Sequence, residues 1–215
     1  MTDNPIQRMD DGTDASRVTS PDLPALHDLP ARSQQALDVV TSQVRRFDQM
    51  VLDLLEISRL DAGVTEFNPE PVLLGDMARR IAARYGFEKV PVWVDNGWAE
   101  RPVAVDKRRL ERILANLLGN ADQHGGGPTG IAVDNGANGF VNLVVEDAGP
   151  GVIQSERTRI FERFARGTAA RHRVGTGLGL ALVVEHAAVH GGTAWVEDRT
   201  GGGSRFVVSF PAEPE

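Results

Sequence analysis

The 215-residue chain contains no cysteine, which excludes disulfide bonds and thiolate metal sites. With 23 lysines and arginines against 30 aspartates and glutamates, it also lacks the basic excess by which nucleic-acid-binding proteins contact phosphates. No apolar run approaches the roughly 20 residues that cross a bilayer, and the N-terminus lacks the basic and apolar regions of a secretory signal. We therefore expect a cytoplasmic protein with no nucleic-acid partner and no membrane segment in this chain.

Two common nucleotide-binding signatures are missing as well. The Gly-x-x-x-x-Gly-Lys-Ser/Thr pattern of P-loop proteins does not occur. The glycine-rich segments fall late in the chain, without the early strand, turn and helix of a dinucleotide fold. A nucleotide site in this chain would therefore be of another type.

The N-terminal part of the chain changes character near residue 31. Residues 1–30 are polar, contain four prolines and show no sustained period, which predicts a flexible leader. Residues 31–61 have apolar residues at alternating spacings of three and four, which predicts a long helix with a heptad seam. The seam consists of Leu37, Val40, Val44, Phe47, Val51 and Leu54, widened by Leu55. It favours pairing with a helix from a second copy or another protein; the alternative is a helix folded against its own domain.

The rest of the chain alternates between helical and strand patterns. Gly63, followed by Pro69 and Pro71, is expected to end the long helix and to begin a domain boundary. Helices are predicted over 73–85, 106–124 and 175–190, and strands over 90–94, 102–105, 131–134, 140–147, 193–197 and 204–210. This order predicts an α+β fold, a two-layer α/β sandwich whose mixed sheet is covered on one face by helices. The predicted divisions are a leader at 1–30, a dimerisation or docking helix at 31–63 and a domain at 67–212.

Two segments of the domain carry residues suited to a metal ion and a base. Asn116 and Asn120 lie one turn apart on the predicted helix, and amide oxygens are suitable ligands for Mg²⁺. Asp147 precedes Gly149 and Gly151, where a missing Cβ lets a flat base approach the backbone. A carboxylate there accepts from an exocyclic amine, which favours adenine over guanine.

Two further segments are suited to phosphate. Gly175, Gly177 and Gly179 open a predicted helix, whose backbone amides and N-terminus form an anion cradle. The preceding loop carries Arg166 and further arginines, and is expected to close on phosphate.

Together these segments resemble the ATP-binding domain of the bacterial sensor histidine kinases, which belongs to a wider family with gyrase, Hsp90 and MutL. Residues 116–124 resemble the N box, 147–151 the G1 box, 161–164 the F box and 175–180 the G2 box of that family. Residues 53–63 also resemble the end of the second helix of the dimerisation domain. The resemblance extends over about residues 31–212.

The resemblance implies an ATP-dependent protein-histidine kinase of a two-component system. Asn120, assisted by Asn116, would hold Mg²⁺. Asp147 would bind the adenine amine and Arg166 would reach the phosphates; the expected catalytic residues are Asn116, Asn120 and Arg166. The expected nucleotide-binding residues are Asn116, Asn120, His124, Asp147, Gly149, Gly151, Arg166, Gly175, Thr176, Gly177, Leu178, Gly179 and Leu180. The implied partners are a histidine-bearing phosphoacceptor protein and a response regulator.

The chain departs from the family pattern at two places. Gln123 stands where the family usually has Lys or Arg, a lost charge that Arg171 or Arg173 could replace. The family's phosphorylated histidine lies in an H box, of which His27-Asp-Leu imitates only three letters before Pro-Ala-Arg. We therefore expect the catalytic part of a split or truncated kinase that acts on a histidine of another polypeptide. The histidines at 172, 186 and 190 are still poorer candidates for the acceptor than His27.

Two other functions remain open. A serine kinase of the anti-sigma type shares the ATP-binding segments, although the long heptad helix argues against it. A non-catalytic regulator would bind ATP and a kinase or response regulator without transferring phosphate, which Gln123 and the unrecognised H box leave open. Because the wider family's ATPases carry Glu where this chain has Asn116, water is expected to be a poor acceptor.

Overall fold

The computed structural model describes residues 30–63, 66–165 and 176–212. The chain divides into two compact units, residues 1–42 and 43–215. Several expectations concern residues outside the described ranges. These are residues 1–29 of the leader, which include His27, and the later residues Arg166, Arg171, His172, Arg173 and Gly175. Among the described residues, no helix combines the length and apolarity that a membrane span needs.

The first helix, α1, spans Ala31–Asp61, as predicted. Gly63 has a φ of +63°, and its N–H donates to the carbonyl of Leu60, so a glycine ends the helix as expected. The seven seam residues are all exposed, from 39% for Leu37 to 62% for Phe47. The domain boundary near residues 63–69 stays a prediction, and the unit that begins at Gln43 includes residues on both sides of it.

In the described part of the chain, seven strands form two sheets. They are β1 (Glu70–Val72), β2 (Val92–Val94), β3 (Val103–Val105), β4 (Pro128–Asn135), β5 (Phe140–Asp147), β6 (Thr193–Asp198) and β7 (Ser204–Pro211). The larger sheet has the order β2-β4-β5-β7-β6; β2 pairs parallel with β4 and the other pairs are antiparallel. The expected mixed sheet is therefore confirmed. Sequence reasoning missed β1, which pairs with β3 in a separate two-stranded sheet.

The other α-helices of the described residues are α2 (Leu74–Arg84), α3 (Lys107–His124) and α4 (Gly179–Val189). The carboxylate of Asp106 accepts hydrogen bonds from the backbone N–H groups of Arg108 and Arg109, which confirms the predicted cap of α3. We predicted a helix that begins at residue 175, and this prediction is wrong for residues 176–178, which are not helical. Gly177 has a φ of +73°, which no α-helix accommodates, and α4 begins at Gly179.

In the described part of the chain, the main hydrophobic core lies between the larger sheet and helices α2, α3 and α4. The predicted apolar face of α3 is fully buried: Leu110, Ile113, Leu114, Leu117 and Leu118. It packs with inward residues of the sheet that include Ile131, Leu143 and Val208. On the opposite face Trp93 and Trp195 are exposed. Burial of each large apolar side chain contributes about 1.5–3 kcal/mol, so this one-sided core is sufficient to hold the helices on one face of the sheet.

Candidate functional site

A cavity of about 530 Å³ lies where α3, the end of β5 and the start of α4 come together. Its size is within the usual range for small-molecule sites. Nine of the predicted binding residues line it: Asn116, Asn120, His124, Asp147, Gly151, Thr176, Gly177, Gly179 and Leu180. Gly149 and Leu178 are not among the lining residues. The tertiary structure thus brings three of the four sequence segments to one cavity.

The two asparagines of α3 line this cavity one helical turn apart. A Cβ atom added to Gly179 would lie 2.9 Å from Oδ1 of Asn116, so the absence of a side chain lets the amide lie against the first turn of α4. The N-terminus of a helix carries partial positive charge and free N–H groups. The side chain of Asn116 and the start of α4 therefore lie side by side in the lining of the cavity.

Asp147 is a buried carboxylate at the end of β5, with 3% of its surface exposed. Its Oδ1 accepts hydrogen bonds from the backbone N–H of Gly149 at 2.9 Å and of Ser204 at 3.2 Å. Within the described part of the chain, no group donates to Oδ2. One oxygen therefore fixes the orientation of the carboxylate, and the other is available to a ligand that donates an N–H.

Close packing around Asp147 depends on two glycines that sequence reasoning did not identify. A Cβ on Gly125 would lie 2.4 Å from Cβ of Asp147, and a Cβ on Gly203 would lie 2.0 Å from its carbonyl oxygen. Gly203 also has a φ of +99°, which disfavours any other residue. Both glycines lie in runs of three, at 125–127 and 201–203, and the pairing of β5 with β7 brings the second run next to Asp147.

Two predicted binding residues support the site from outside the cavity. The side chain of Leu178 is fully buried in a small apolar cluster with Ile57 and Leu182, so it does not face a ligand. Its backbone N–H donates to Oγ1 of Thr176 at 3.3 Å. Gly149 acts through the hydrogen bond that its N–H donates to Asp147. Both residues therefore position neighbours that line the cavity.

Helix α1 supplies a wall of the cavity that sequence reasoning missed. Arg45, Arg46, Gln49 and Asp53 all line the cavity. Nε2 of Gln49 donates to Oδ1 of Asp53 at 2.6 Å. Burial raises the pKa of Asp53 above its usual range, and the hydrogen bond from Gln49 opposes this effect. The sequence does contain a pattern that could have identified this wall: Arg45, Gln49 and Asp53 are polar residues spaced by four. The prediction for α1 was based instead on the heptad seam, which lies on another face of the helix.

The second half of α1 is held against the domain by Ile57 and Glu56. Ile57 is 2% exposed and packs with Leu178 and Leu182. Oε2 of Glu56 accepts from Nε of Arg112 at 3.0 Å, and Oε1 lies 3.3 Å from Nε2 of His186. Burial raises the pKa of Glu56, but the adjacent imidazole of His186 and guanidinium of Arg112 outweigh it and lower that pKa to about 2. Glu56 is therefore ionised at neutral pH.

The chain matches a known family over residues 105–214, described as histidine kinase-, DNA gyrase B- and HSP90-like ATPase. It is 36% identical over 183 residues to the signal transduction histidine-protein kinase AfsQ2 of Streptomyces coelicolor. This match covers 84% of this chain and 34% of AfsQ2. It is 32% identical over 209 residues to the histidine-protein kinase/phosphatase MprB of a Mycobacterium species, which covers 94% of this chain and 40% of MprB. The chain thus spans about a third to two fifths of the length of these curated relatives.

A solved structure has a similar fold. Full-length ShkA in complex with AMPPNP superposes with a TM-score of 0.65 at 29% sequence identity, over 85% of this chain and 39% of ShkA. The expected resemblance to sensor histidine kinases is confirmed by these relatives. The chain belongs to the family of histidine kinase-, DNA gyrase B- and HSP90-like ATPases.

Proposed function

We propose that the chain is the catalytic part of a two-component protein-histidine kinase, which binds Mg·ATP and transfers the γ-phosphoryl group to a histidine of a partner protein. The observation that carries this proposal is the carboxylate of Asp147, held by two backbone N–H groups with one oxygen left for a ligand. It lines the same cavity as Asn116 and Asn120. The names of the similar kinases and the AMPPNP complex of ShkA support the same conclusion.

In this proposal Asp147 selects the base. Its Oδ2 accepts a hydrogen bond from the exocyclic amine of adenine. Guanine would present a carbonyl oxygen at this place, and two acceptors facing each other in a buried site cost free energy. Gly149 and Ser204 keep the carboxylate in the required orientation, so it does not have to reorganise on binding.

Asn116 and Asn120 are well suited to a Mg²⁺ ion. Both line the cavity from one face of α3, and amide oxygens are of the donor type that Mg²⁺ accepts. Asn120 would hold the ion with help from Asn116, and the bound ion would neutralise charge on the phosphates during transfer. The first turn of α4 and the amides of Thr176 and Gly177 bind the phosphates beside them. Arg166 is proposed to reach the same phosphates.

The acceptor is placed on a partner because the described histidines are poor nucleophiles for this reaction. His186 and His190 are 1% and 7% exposed. Both are hydrogen-bonded inside the fold, and His124 lines the nucleotide cavity itself. We propose that the exposed seam of α1 docks the histidine-bearing helix, or a second copy of this chain, in the cytoplasm. A response regulator then receives the phosphoryl group.

The test is incubation with γ-labelled ATP and Mg²⁺, with and without a histidine-bearing helical protein. We expect acid-labile label on the partner only, lost in Asn120→Ala and kept in Asn96→Ala, a control at an exposed turn. Acid-stable label on the partner would indicate a serine kinase. ATP binding without label on any histidine domain would indicate a non-catalytic regulator. Label on this chain alone that disappears in His27→Gln would show that the acceptor is its own.

A further inference from the structure

Helix α1 contributes two positively charged residues to the nucleotide cavity. Arg45 and Arg46 line it together with Gln49 and Asp53, which follow at spacings of about four and lie on the same face of the helix. Helix α3 contributes Gln123 to the same cavity, beside its two asparagines. The cavity is therefore bounded by a helix that lies outside all four of the ATP-binding segments.

This part of α1 is anchored to the domain at several points. Ile57 is buried in the cluster with Leu178 and Leu182. Near the end of the helix, Arg163 donates two hydrogen bonds to the carboxylate of Asp61, at 2.6 and 2.7 Å. Arg45 lies about three helical turns before Ile57, and a helix transmits position along its axis. The guanidinium groups are thus carried by a helix whose place against the cavity is set by other contacts.

The charges along the cavity show why these arginines matter. Its described lining includes three carboxylates, those of Asp53, Asp147 and Glu156. Of the lining residues that the structure describes, Arg45 and Arg46 are the ones with a permanent positive charge. At the position where sequence reasoning expected a family Lys or Arg, the cavity has the neutral Gln123. Among the described lining residues, the permanent positive charges that could bind several phosphate groups are therefore those of α1.

We propose that Arg45 and Arg46 bind the phosphate groups of the nucleotide and supply in cis the charge that Gln123 does not. The inference deepens the proposed function, since it assumes that the cavity binds ATP. Guanidinium groups form strong charge-assisted hydrogen bonds with phosphate. The nucleotide then bridges α1 and the ATP-binding elements. By linkage, a docked α1 strengthens phosphate binding, and bound phosphate strengthens the docking of α1 by the same factor.

Calorimetric titration of the full chain with ATP and with adenosine tests this proposal. We expect the double variant R45Q/R46Q to lose at least about ten-fold in ATP affinity, since each lost charged hydrogen bond weakens binding by about ten-fold or more. Adenosine has no phosphate, so its affinity should be unchanged. Arg59→Gln is the matched control, since Arg59 is an exposed arginine of α1 that does not line the cavity. Arg45→Lys should retain more ATP affinity than Arg45→Gln.

Several outcomes would overturn the proposal. Unchanged ATP affinity in the double variant, relative to Arg59→Gln, would show that the arginines do not bind phosphate. An equal loss for adenosine would show a general structural role, and the single variants and thermal unfolding would separate this from misfolding. If ATP binding is lost in Asp147→Asn but not in R45Q/R46Q, only the present inference fails. If the wild type binds neither ligand, the proposed function itself fails.

Discussion

Glu56 and Arg112 join helix α1 to helix α3, with Nε of Arg112 donating to Oε2 of Glu56 at 3.0 Å. A second hydrogen bond runs from Nη2 of Arg112 to the same oxygen. On its other side Glu56 faces His186, whose Nδ1 accepts from Arg109 and whose Nε2 therefore carries the proton. The carboxylate is thus held by α3 and α4 together, whereas the seam residues of α1 are exposed.

Replacement of Glu56 by Gln should lower the free energy of unfolding by about 1–3 kcal/mol, because Arg112 then loses its ionised partner. Only Asp53, at 3.7 Å, remains near Nη2 of Arg112 as a described carboxylate. Urea denaturation at pH 7 measures the change, and the exposed Glu88→Gln is the control. Equal stability of the two variants would show that this contact does not hold α1.

The same contact should make the protein sensitive to acid. The pKa of Glu56 falls from 4.5 to about 2 in the folded state. Its contribution to stability is therefore complete above pH 4.5 and is lost as the pH falls from 4.5 towards 2. Denaturation curves over that range should show a shallower loss in Glu56→Gln than in the wild type. Parallel curves would contradict the assignment.

Truncation of two apolar residues of α1 should affect different properties of the protein: Ile57→Ala its stability and Leu54→Ala its association. Ile57→Ala should lower stability by about 2–4 kcal/mol, since it leaves a cavity in a buried cluster. Leu54→Ala removes an exposed side chain and should change stability by less than about 0.5 kcal/mol, but should weaken any association through the seam. Chemical denaturation and analytical ultracentrifugation measure the two effects. Loss of stability in Leu54→Ala without a change in association would argue against the predicted helix pairing.

Asp147→Asn should lower ATP affinity about ten- to a hundred-fold, since the lost acceptor for the adenine amine is charged. The fold should persist, because Oδ1 of the new side chain can still accept from Gly149 and Ser204. Calorimetric titration measures affinity, with Asp122→Asn, an exposed residue of α3, as the control. Unchanged affinity would disprove the adenine assignment.

His190 should make the protein less stable below about pH 6.5. Its Nε2 accepts from the backbone N–H of Asp106 at 3.0 Å, and its Nδ1 donates to the carbonyl of His186 at 2.7 Å, so the folded state requires the neutral ring. Burial lowers the pKa of His190 below 6.5, although the hydrogen bond to His186 and the charge of Asp106 oppose this. As the pH falls, the imidazole of His190 therefore binds a proton at a higher pH in the unfolded chain than in the folded protein, and this favours unfolding.

Thermal or urea unfolding between pH 7 and pH 5 measures this effect. The wild type should lose stability as the pH falls, and His190→Gln should show a smaller slope because its side chain does not titrate. The aromatic rings of Phe67 and Phe210 pack edge-on against the imidazole and keep water away from it. An identical slope in the variant would show that other groups cause the acid sensitivity.

The predictable elements were those whose formation depends on nearby residues. Helix α3 has a capping aspartate and an apolar face of period 3.6, so its start and its buried face followed from local sequence. Strand β1 has three residues, of which the middle one is Pro71, and it follows Pro69; it forms because β3 pairs with it. The start of α4 was placed too early, because the φ of Gly177 depends on the packing around it.

The sequence by itself determined the family, the layered fold and nine of the residues that line the cavity, because these depend on short motifs and on hydrophobic periods that neighbouring residues carry. Only the tertiary structure decided that Gly125 and Gly203 clear the space around Asp147, and that α1 brings Arg45 and Arg46 into the lining of the cavity. Those relationships join residues far apart in the chain. They arise from strand pairing and helix docking, which no local pattern encodes.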